Sequence, residues 1–254
     1  MLLGSVIAKT AWANSICPRR RTLWLKGAVE TARAVTILFA FTSFASRISV
    51  TTWCCLAETL DIEMEKPQTY CQAIEQLEMS DVNRVYHDAV YGYPVSDDNE
   101  LFGRLLLEIN QAGLSWSLIL NKQANFRQAY ANFEVHQVAR FSEADRQRLL
   151  NDPGIIRNRL KINAAIYNAQ RVLDIQAEFG SFKHWLDRQG DLPKAEWVKR
   201  FKKSFKFTGG EITNEFLMST GYLPGAHEES CPIYDKVLAQ RPAWYSYKLN
   251  HKPA

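Results

Sequence analysis

The side chains best suited to chemistry cluster between Tyr86 and Trp116. Glu108 interrupts an apolar run, Leu105-Leu106-Leu107-Glu108-Ile109, and steps of four, three and four link Leu101, Leu105, Glu108 and Ala112. That spacing predicts a helix with one carboxylate in line with its apolar stripe. Such a group is costly to bury unless it is paired or has a job to do. Two readings stand at this point. In one the helix rotates slightly and Glu108 lies at a rim, touching a Lys or a backbone N–H. In the other Glu108 lies among the aromatic faces of Tyr86, Tyr91 and Trp116, where a carboxylate holds a flat, cationic ring. Directly afterwards, Gln111-Ala112-Gly113-Leu114 makes a sharp helix end with an apolar tip.

A second constellation joins the ends of the chain's last three quarters. His227 and Cys231 are separated by three residues, and Cys71 and His87 lie far upstream. Two Cys and two His make a closed tetrahedral shell for structural zinc. Neither spacing is diagnostic alone, because a buried Cys also behaves as a small hydrophobe. The third feature is Leu149 to Arg159, read as helix, tight turn at Gly154, then a second helix with the stripe Ile162, Ile166, Ala169 and Leu173. N–H groups facing outward at a helix start, with Arg157, Arg159 and Lys161 beside them, make a phosphate seat. An ordinary αα-hairpin has the same pattern.

The elements that position these residues are helical. Asp97 and Glu100 suit a capping box for the Glu108 helix, and Ser142 with Asp145 suits another. Helices are expected near Ala73–Leu77, from Trp116 to about Lys122, from Asn125 to Phe133, within 181–206, and from Glu211 to Thr220. Gly221 and Pro224 close the last of these, as helix C-termini prefer. Past Tyr234 a tail of little content is expected. With no repeats and no strand-rich block, the class is all-α.

Of the 31 Lys/Arg and 27 Asp/Glu, residues 1–63 hold 7 and 4, leaving 24 against 23 in residues 64–254. No global basic field marks a nucleic-acid binder. DNA contact must rest on local patches: the hairpin cations, or Lys199-Arg200-Phe201-Lys202-Lys203 with Lys206. The five cysteines do not suggest a secreted disulfide framework, so a reducing, cytoplasmic compartment is expected. Residues 1–63 read unlike the rest. They carry Arg19-Arg20-Arg21 and an apolar run from Ala34 to Phe41, too short for the roughly 20 residues that span a bilayer. They are expected to be a poorly ordered extension or an upstream start, with the natural protein beginning at Met64. No membrane association is expected.

The segments Tyr86-His87-Asp88…Tyr91-Gly92-Tyr93-Pro94 and Leu107-Glu108-Ile109-Asn110-Gln111-Ala112-Gly113-Leu114-Ser115-Trp116 resemble the signature of the DNA-3-methyladenine glycosylase I family. The resemblance covers roughly Tyr70 to Tyr234. It implies one helical glycosylase domain over 64–254, with a helix-hairpin-helix at about 149–173 that grips the DNA backbone without reading sequence. It also implies a monomer acting on double-stranded alkylated DNA, and structural zinc held by Cys71, His87, His227 and Cys231.

In that reading Glu108 recognises the methylated base, and Tyr86, Tyr91 and Trp116 stack on it. Leu114, presented by Gly113 beside Gln111, fills the gap left by the flipped nucleotide. The chain departs from the family where Gln72-Ala73 replaces a Trp, where Asn83 replaces a pocket Tyr, and where Tyr91 replaces a Trp. No Lys suits a Schiff base, so no strand-cleaving step is expected. A broader alkylpurine glycosylase and a non-catalytic damaged-DNA-binding module are the alternatives.

Overall fold

The computed structural model describes residues 69–250. The expectations for residues 1–63 lie outside them. Two compact units divide the chain, Met1–Ala73 and Ile74–Ala254. Of the first, residues 69–73 are described. They open helix α1 (Tyr70–Glu75), and the Gln72 N–H donates to the Thr69 hydroxyl at 3.3 Å.

The described residues are all helical and loop, with no strand among them. In chain order the helices after α1 are α2 (Val82–Ala89), α3 (Asp98–Gln111), α4 (Trp116–Asn121), α5 (Gln123–Ala129), a 3-10 turn (Ala131–Phe133), α6 (Val135–Val138), α7 (Glu143–Asn151), α8 (Arg159–Phe179), α9 (Phe182–Asp187), α10 (Lys194–Ser204), α11 (Gly210–Ser219), α12 (Tyr234–Ala239) and α13 (Ala243–Asn250).

Helix α3 is the post of the fold. Asp97 caps it by accepting the Glu100 N–H at 2.8 Å, and every residue from Leu101 to Asn110 is buried. Helices α4, α8, α9 and α11 pack around it. At its start the Asp98 carboxylate accepts the backbone N–H groups of Phe182 (2.7 Å) and Lys183 (2.9 Å), so α3 caps α9. The apolar core gathers Leu101, Leu105 and Ile109 of α3 with Ile162, Ile166 and Ala169 of α8 and Phe216 of α11. Apolar burial of this kind is worth roughly 25 cal/mol per Å² and drives the assembly.

Three expectations about elements change. The helix foreseen over Asn125–Phe133 breaks after Ala129, because Ala131, Asn132 and Phe133 take positive φ angles of 50°, 56° and 64°. That unusual turn delivers the Phe133 ring against Gly103, where an added Cβ would meet the ring at 2.3 Å. Gly103 is therefore needed for α3 to accept Phe133. The tail past Tyr234 is not empty. It forms α12 and α13, whose Val237 is buried and whose Tyr247 hydroxyl donates to the Asp187 carbonyl at 3.1 Å. Between the predicted helices lies a short α6, too brief for periodicity to register.

Candidate active site

Glu108 is 5% exposed, so it lies inside the fold and not at the rim. Tyr86 comes up from α2, capped by the Asp81 carboxylate, and meets Trp116 at the start of α4, capped by Ser115. The Tyr86 and Trp116 rings cross edge-to-face with centroids 5.1 Å apart. Tyr86 is buried, with the Ser219 side chain beside its hydroxyl. Burial drives its pKa far above the ordinary 10. Arg104 pulls it down, but Glu108 and Glu215 push it up again, so the phenol stays protonated as a donor. The Arg104 guanidinium lies over the Tyr86 ring, 5.8 Å from its centroid.

Tyr91 is placed differently from the expectation that it stacks on a ligand. It is almost fully buried behind Tyr86, centroids 5.7 Å apart, and its hydroxyl donates to Glu215 at 3.2 Å. Glu215, on α11, was not foreseen. The signal was available: it is a carboxylate beside the apolar run Phe216-Leu217-Met218, the same pattern that singled out Glu108. Asn83 is also buried. It donates to Asp81 at 2.8 Å and accepts the Ser117 hydroxyl at 3.2 Å, tying α2 to α4.

The loop after α3 has the predicted tip. Gly113 takes φ +81°, and an added Cβ there would touch nothing within 4 Å. The Leu114 N–H donates to the Gln111 carbonyl at 2.7 Å, and the Gln111 side-chain amide returns to the Leu114 carbonyl at 3.0 Å. Gln111 thus closes the turn that presents Leu114, which is 36% exposed.

Helices α7 and α8 follow one another and pack together, with the predicted Ser142–Asp145 cap at the start of α7. Arg157 and Arg159 are exposed, and Arg159 lies 3.7 Å from Glu143. Two of the residues assigned to phosphate binding are engaged elsewhere. The Gly154 N–H donates to the Asp152 carboxylate at 2.7 Å, so Gly154 serves close packing: a Cβ there would meet Asp152 at 2.9 Å and Asn125 at 3.1 Å. Lys161 is a plain correction. It is 7% exposed, and its ammonium donates to the carbonyls of Asn110 (2.9 Å) and Ala112 (2.8 Å).

His87, His227 and Cys231 converge in one buried cluster able to hold a metal ion. His87 Nδ1 lies 2.7 Å from Asp88, and His227 Nε2 lies 2.8 Å from the Tyr91 carbonyl. Both acceptors fix the proton on the ring nitrogen that faces them. The opposite nitrogens, His87 Nε2 and His227 Nδ1, then present lone pairs to each other at 3.2 Å, with the Cys231 sulfur 3.7 and 3.6 Å away. Facing lone pairs repel unless a cation lies between them. Burial pushes the Asp88 carboxyl up, yet hydrogen bonds with His87 and Arg84 outweigh it and hold its pKa below the usual range. Cys71, buried as well, belongs to the first unit.

The methyladenine glycosylase family model matches residues 76–199. DNA-3-methyladenine glycosylase 1 of Escherichia coli (strain K12) is 33% identical over 168 residues, covering 59% of this chain and 89% of that protein. DNA-3-methyladenine glycosylase of Haemophilus influenzae is 31% identical over 165 residues, covering 58% and 89%. Among solved structures, that of a Staphylococcus aureus 3-methyladenine DNA glycosylase I, which addresses recognition of 3-methyladenine, is similar with a TM-score of 0.56. It shares 33% identity and covers 60% of this chain and 90% of its own. An all-helical domain with a carboxylate and aromatic rings behind an apolar loop tip defines the class. The chain belongs to the methyladenine glycosylase family.

Proposed function

We propose that this chain is a monofunctional DNA glycosylase that hydrolyses the N-glycosidic bond of 3-methyladenine in alkylated double-stranded DNA, leaving an abasic site. The observation that carries the reading is Glu108, buried on α3 within electrostatic reach of Tyr86, whose ring meets Trp116, and followed by the exposed Leu114. Methylation at N3 leaves the purine cationic and already a good leaving group. When the C1′–N9 bond breaks, its electron pair passes to the ring and neutralises that charge. Water supplies the hydroxyl at C1′ and releases one proton.

The protein's work is extraction and discrimination. Glu108 accepts hydrogen bonds from the base edge and favours a positive ring over neutral adenine. Trp116 and Tyr86 stack on it, worth about 1–3 kcal/mol per base, and Tyr91 with Glu215 backs Tyr86. Leu114 fills the gap left by the extruded nucleotide. The α7–α8 pair serves as a helix-hairpin-helix, with Arg157 and Arg159 on the phosphates. The protein acts as a monomer in the bacterial cytoplasm, and among the described residues no helix is long and apolar enough to cross a membrane. A broader alkylpurine range is the second reading, favoured by the departures from the family pattern at Ala73 and Tyr91.

The metal held by the His87–His227–Cys231 group is zinc. A tetrahedral zinc with bonds of ~2.0 Å to nitrogen and ~2.3 Å to sulfur spaces two nitrogens about 3.3 Å apart, and nitrogen and sulfur about 3.5 Å apart. The contacts of 3.2, 3.6 and 3.7 Å fit that tetrahedron. A zinc ion held by buried Cys and His side chains, away from the Glu108 pocket segment, would supply fold stability.

Base release from alkylated DNA, with chromatographic identification of the freed base, tests the function. Release of 3-methyladenine is expected, with little 3-methylguanine. Glu108→Gln removes a hydrogen bond to a charged group, worth about 1.5–3 kcal/mol, and lowers the single-turnover rate roughly 10- to 150-fold. A folded protein that frees no base is not this enzyme. Freed 3-methylguanine at comparable rate selects the broader range.

A further inference from the structure

Two lysines run in opposite directions between the hairpin and the segment that carries the pocket. From the first turn of α8, Lys161 reaches back to the end of α3 and donates to the Asn110 and Ala112 carbonyls. From the α4–α5 junction, Lys122 reaches forward to the hairpin turn and donates to the carbonyls of Pro153 (2.9 Å) and Gly154 (3.2 Å). The Asn125 side chain adds a longer contact to the Gly154 carbonyl at 3.4 Å. Each partner therefore gives one ammonium and receives one. The segment between the two ties holds Gln111, Leu114 and Trp116, and Glu108 lies just before it on α3.

Neither contact is an ordinary surface ion pair. Among the described residues no carboxylate lies within ion-pair distance of either lysine, and both heads rest on backbone carbonyls. The α3 carbonyls sit at a helix C-terminus, where the helix dipole favours a cation. Ala112 follows the last residue of α3 and leaves the helical conformation (φ −50°, ψ 116°), so these carbonyls need outside donors. A methionine would fill the Lys161 channel equally well and would satisfy none of them.

We infer that Lys161 and Lys122 are positioning residues which lash the α7–α8 hairpin to the pocket segment, so that the grip on the phosphate backbone fixes where Leu114 enters the duplex. This inference rests on the glycosylase reading above. A grip and a wedge that moved independently would spend the backbone contacts without extracting a base. Joined, they press on one strand from fixed points.

The experiment uses the full chain as wild type, Lys161→Met, Lys122→Met and Lys122→Arg. Three readouts are taken: binding of free 3-methyladenine by tryptophan fluorescence, affinity for undamaged duplex by anisotropy, and single-turnover base release. A duplex with 2-aminopurine beside the lesion reports unstacking separately. Both Met variants are expected to keep free-base and duplex affinity, and to lose about tenfold or more in base release and in the rate of 2-aminopurine brightening. Lys122→Arg is expected to restore both.

Base release at the wild-type rate in folded Met variants would overturn the inference. So would loss of free-base affinity in step with base release, which would mean that the lysines merely support the pocket. If Lys161→Met does not fold, the Lys122 pair decides. A wild type that frees no base refutes the glycosylase reading instead, and the strap is then judged on 2-aminopurine brightening, which requires no bond cleavage.

Discussion

Gly113 gives the sharpest test of how the apolar tip is presented. Its φ of +81° lies in the left-handed region, and an added Cβ would find open space within 4 Å. A Gly113→Ala substitution therefore brings no clash with neighbouring elements, only the backbone strain of a left-handed alanine. That strain is roughly 1–2 kcal/mol. The turn escapes that strain by relaxing to another shape, and is then correct only a fraction of the time. The same free energy is missing when the wedge must engage, and the single-turnover rate of base release falls about five- to thirtyfold. Thermal stability falls less, because alanine also narrows the unfolded ensemble. Gly113→Asn is the control, since asparagine tolerates the left-handed region. The expected order is glycine, then asparagine, then alanine, measured on one alkylated duplex with free-base affinity unchanged throughout. Two results would refute the reasoning: Gly113→Ala working at the wild-type rate, or Gly113→Asn failing as badly as alanine.

Elemental analysis of the purified protein is expected to give one zinc per chain. His227→Ala should lose it and lower the melting temperature by several degrees or more, since removing a structural metal ligand removes folding free energy. A protein that holds no zinc at full stability would end that assignment. Acid stability carries a signature of Glu100. Burial pushes its carboxyl up, but Arg127 and Arg104 outweigh burial and hold the folded-state pKa below the unperturbed 4.5. A lowered folded pKa means that the stabilisation is full above the unfolded-state value and is lost as pH falls through the folded one. Glu100→Gln should therefore be less stable than wild type at neutral pH and converge with it as pH falls through the lowered folded-state value, followed by melting temperature. Parallel curves across that window would show that the pair contributes nothing.

How far the sequence carries the fold is clearest in α3. Asp97, the leucine spacing and the Gly113 stop were readable because capping, periodicity and a left-handed stop are local. The environment of Glu108 was not, because periodicity cannot say whether a helix turns its odd carboxylate to a rim or to the interior. Its neighbours decide that: Tyr86 from 22 positions upstream, and Glu215 acting through Tyr86 from more than 100 positions downstream. Lys161 misled for the opposite reason. Beside Arg157 and Arg159 it reads as one of three solvated cations, and only the position of carbonyls some 50 residues earlier shows that it points inward. The metal cluster lies between these cases. Residue types nominated it, while the tautomers that empty two nitrogens toward each other needed Asp88 and the Tyr91 carbonyl in place.

The burial of α3 on every side from Leu101 to Asn110 bears on how such an enzyme changes over time. A helix with no free face cannot drift. Any substitution along it disturbs α4, α8, α9 or α11 at once, so the carboxylate it carries is held still by the whole domain. New substrate preferences must then arise in the surroundings. Asn83 and Tyr91 lie on or just after α2, and Glu215 is carried by α11. Ancestry should be written in α3, and diet in the helices around it.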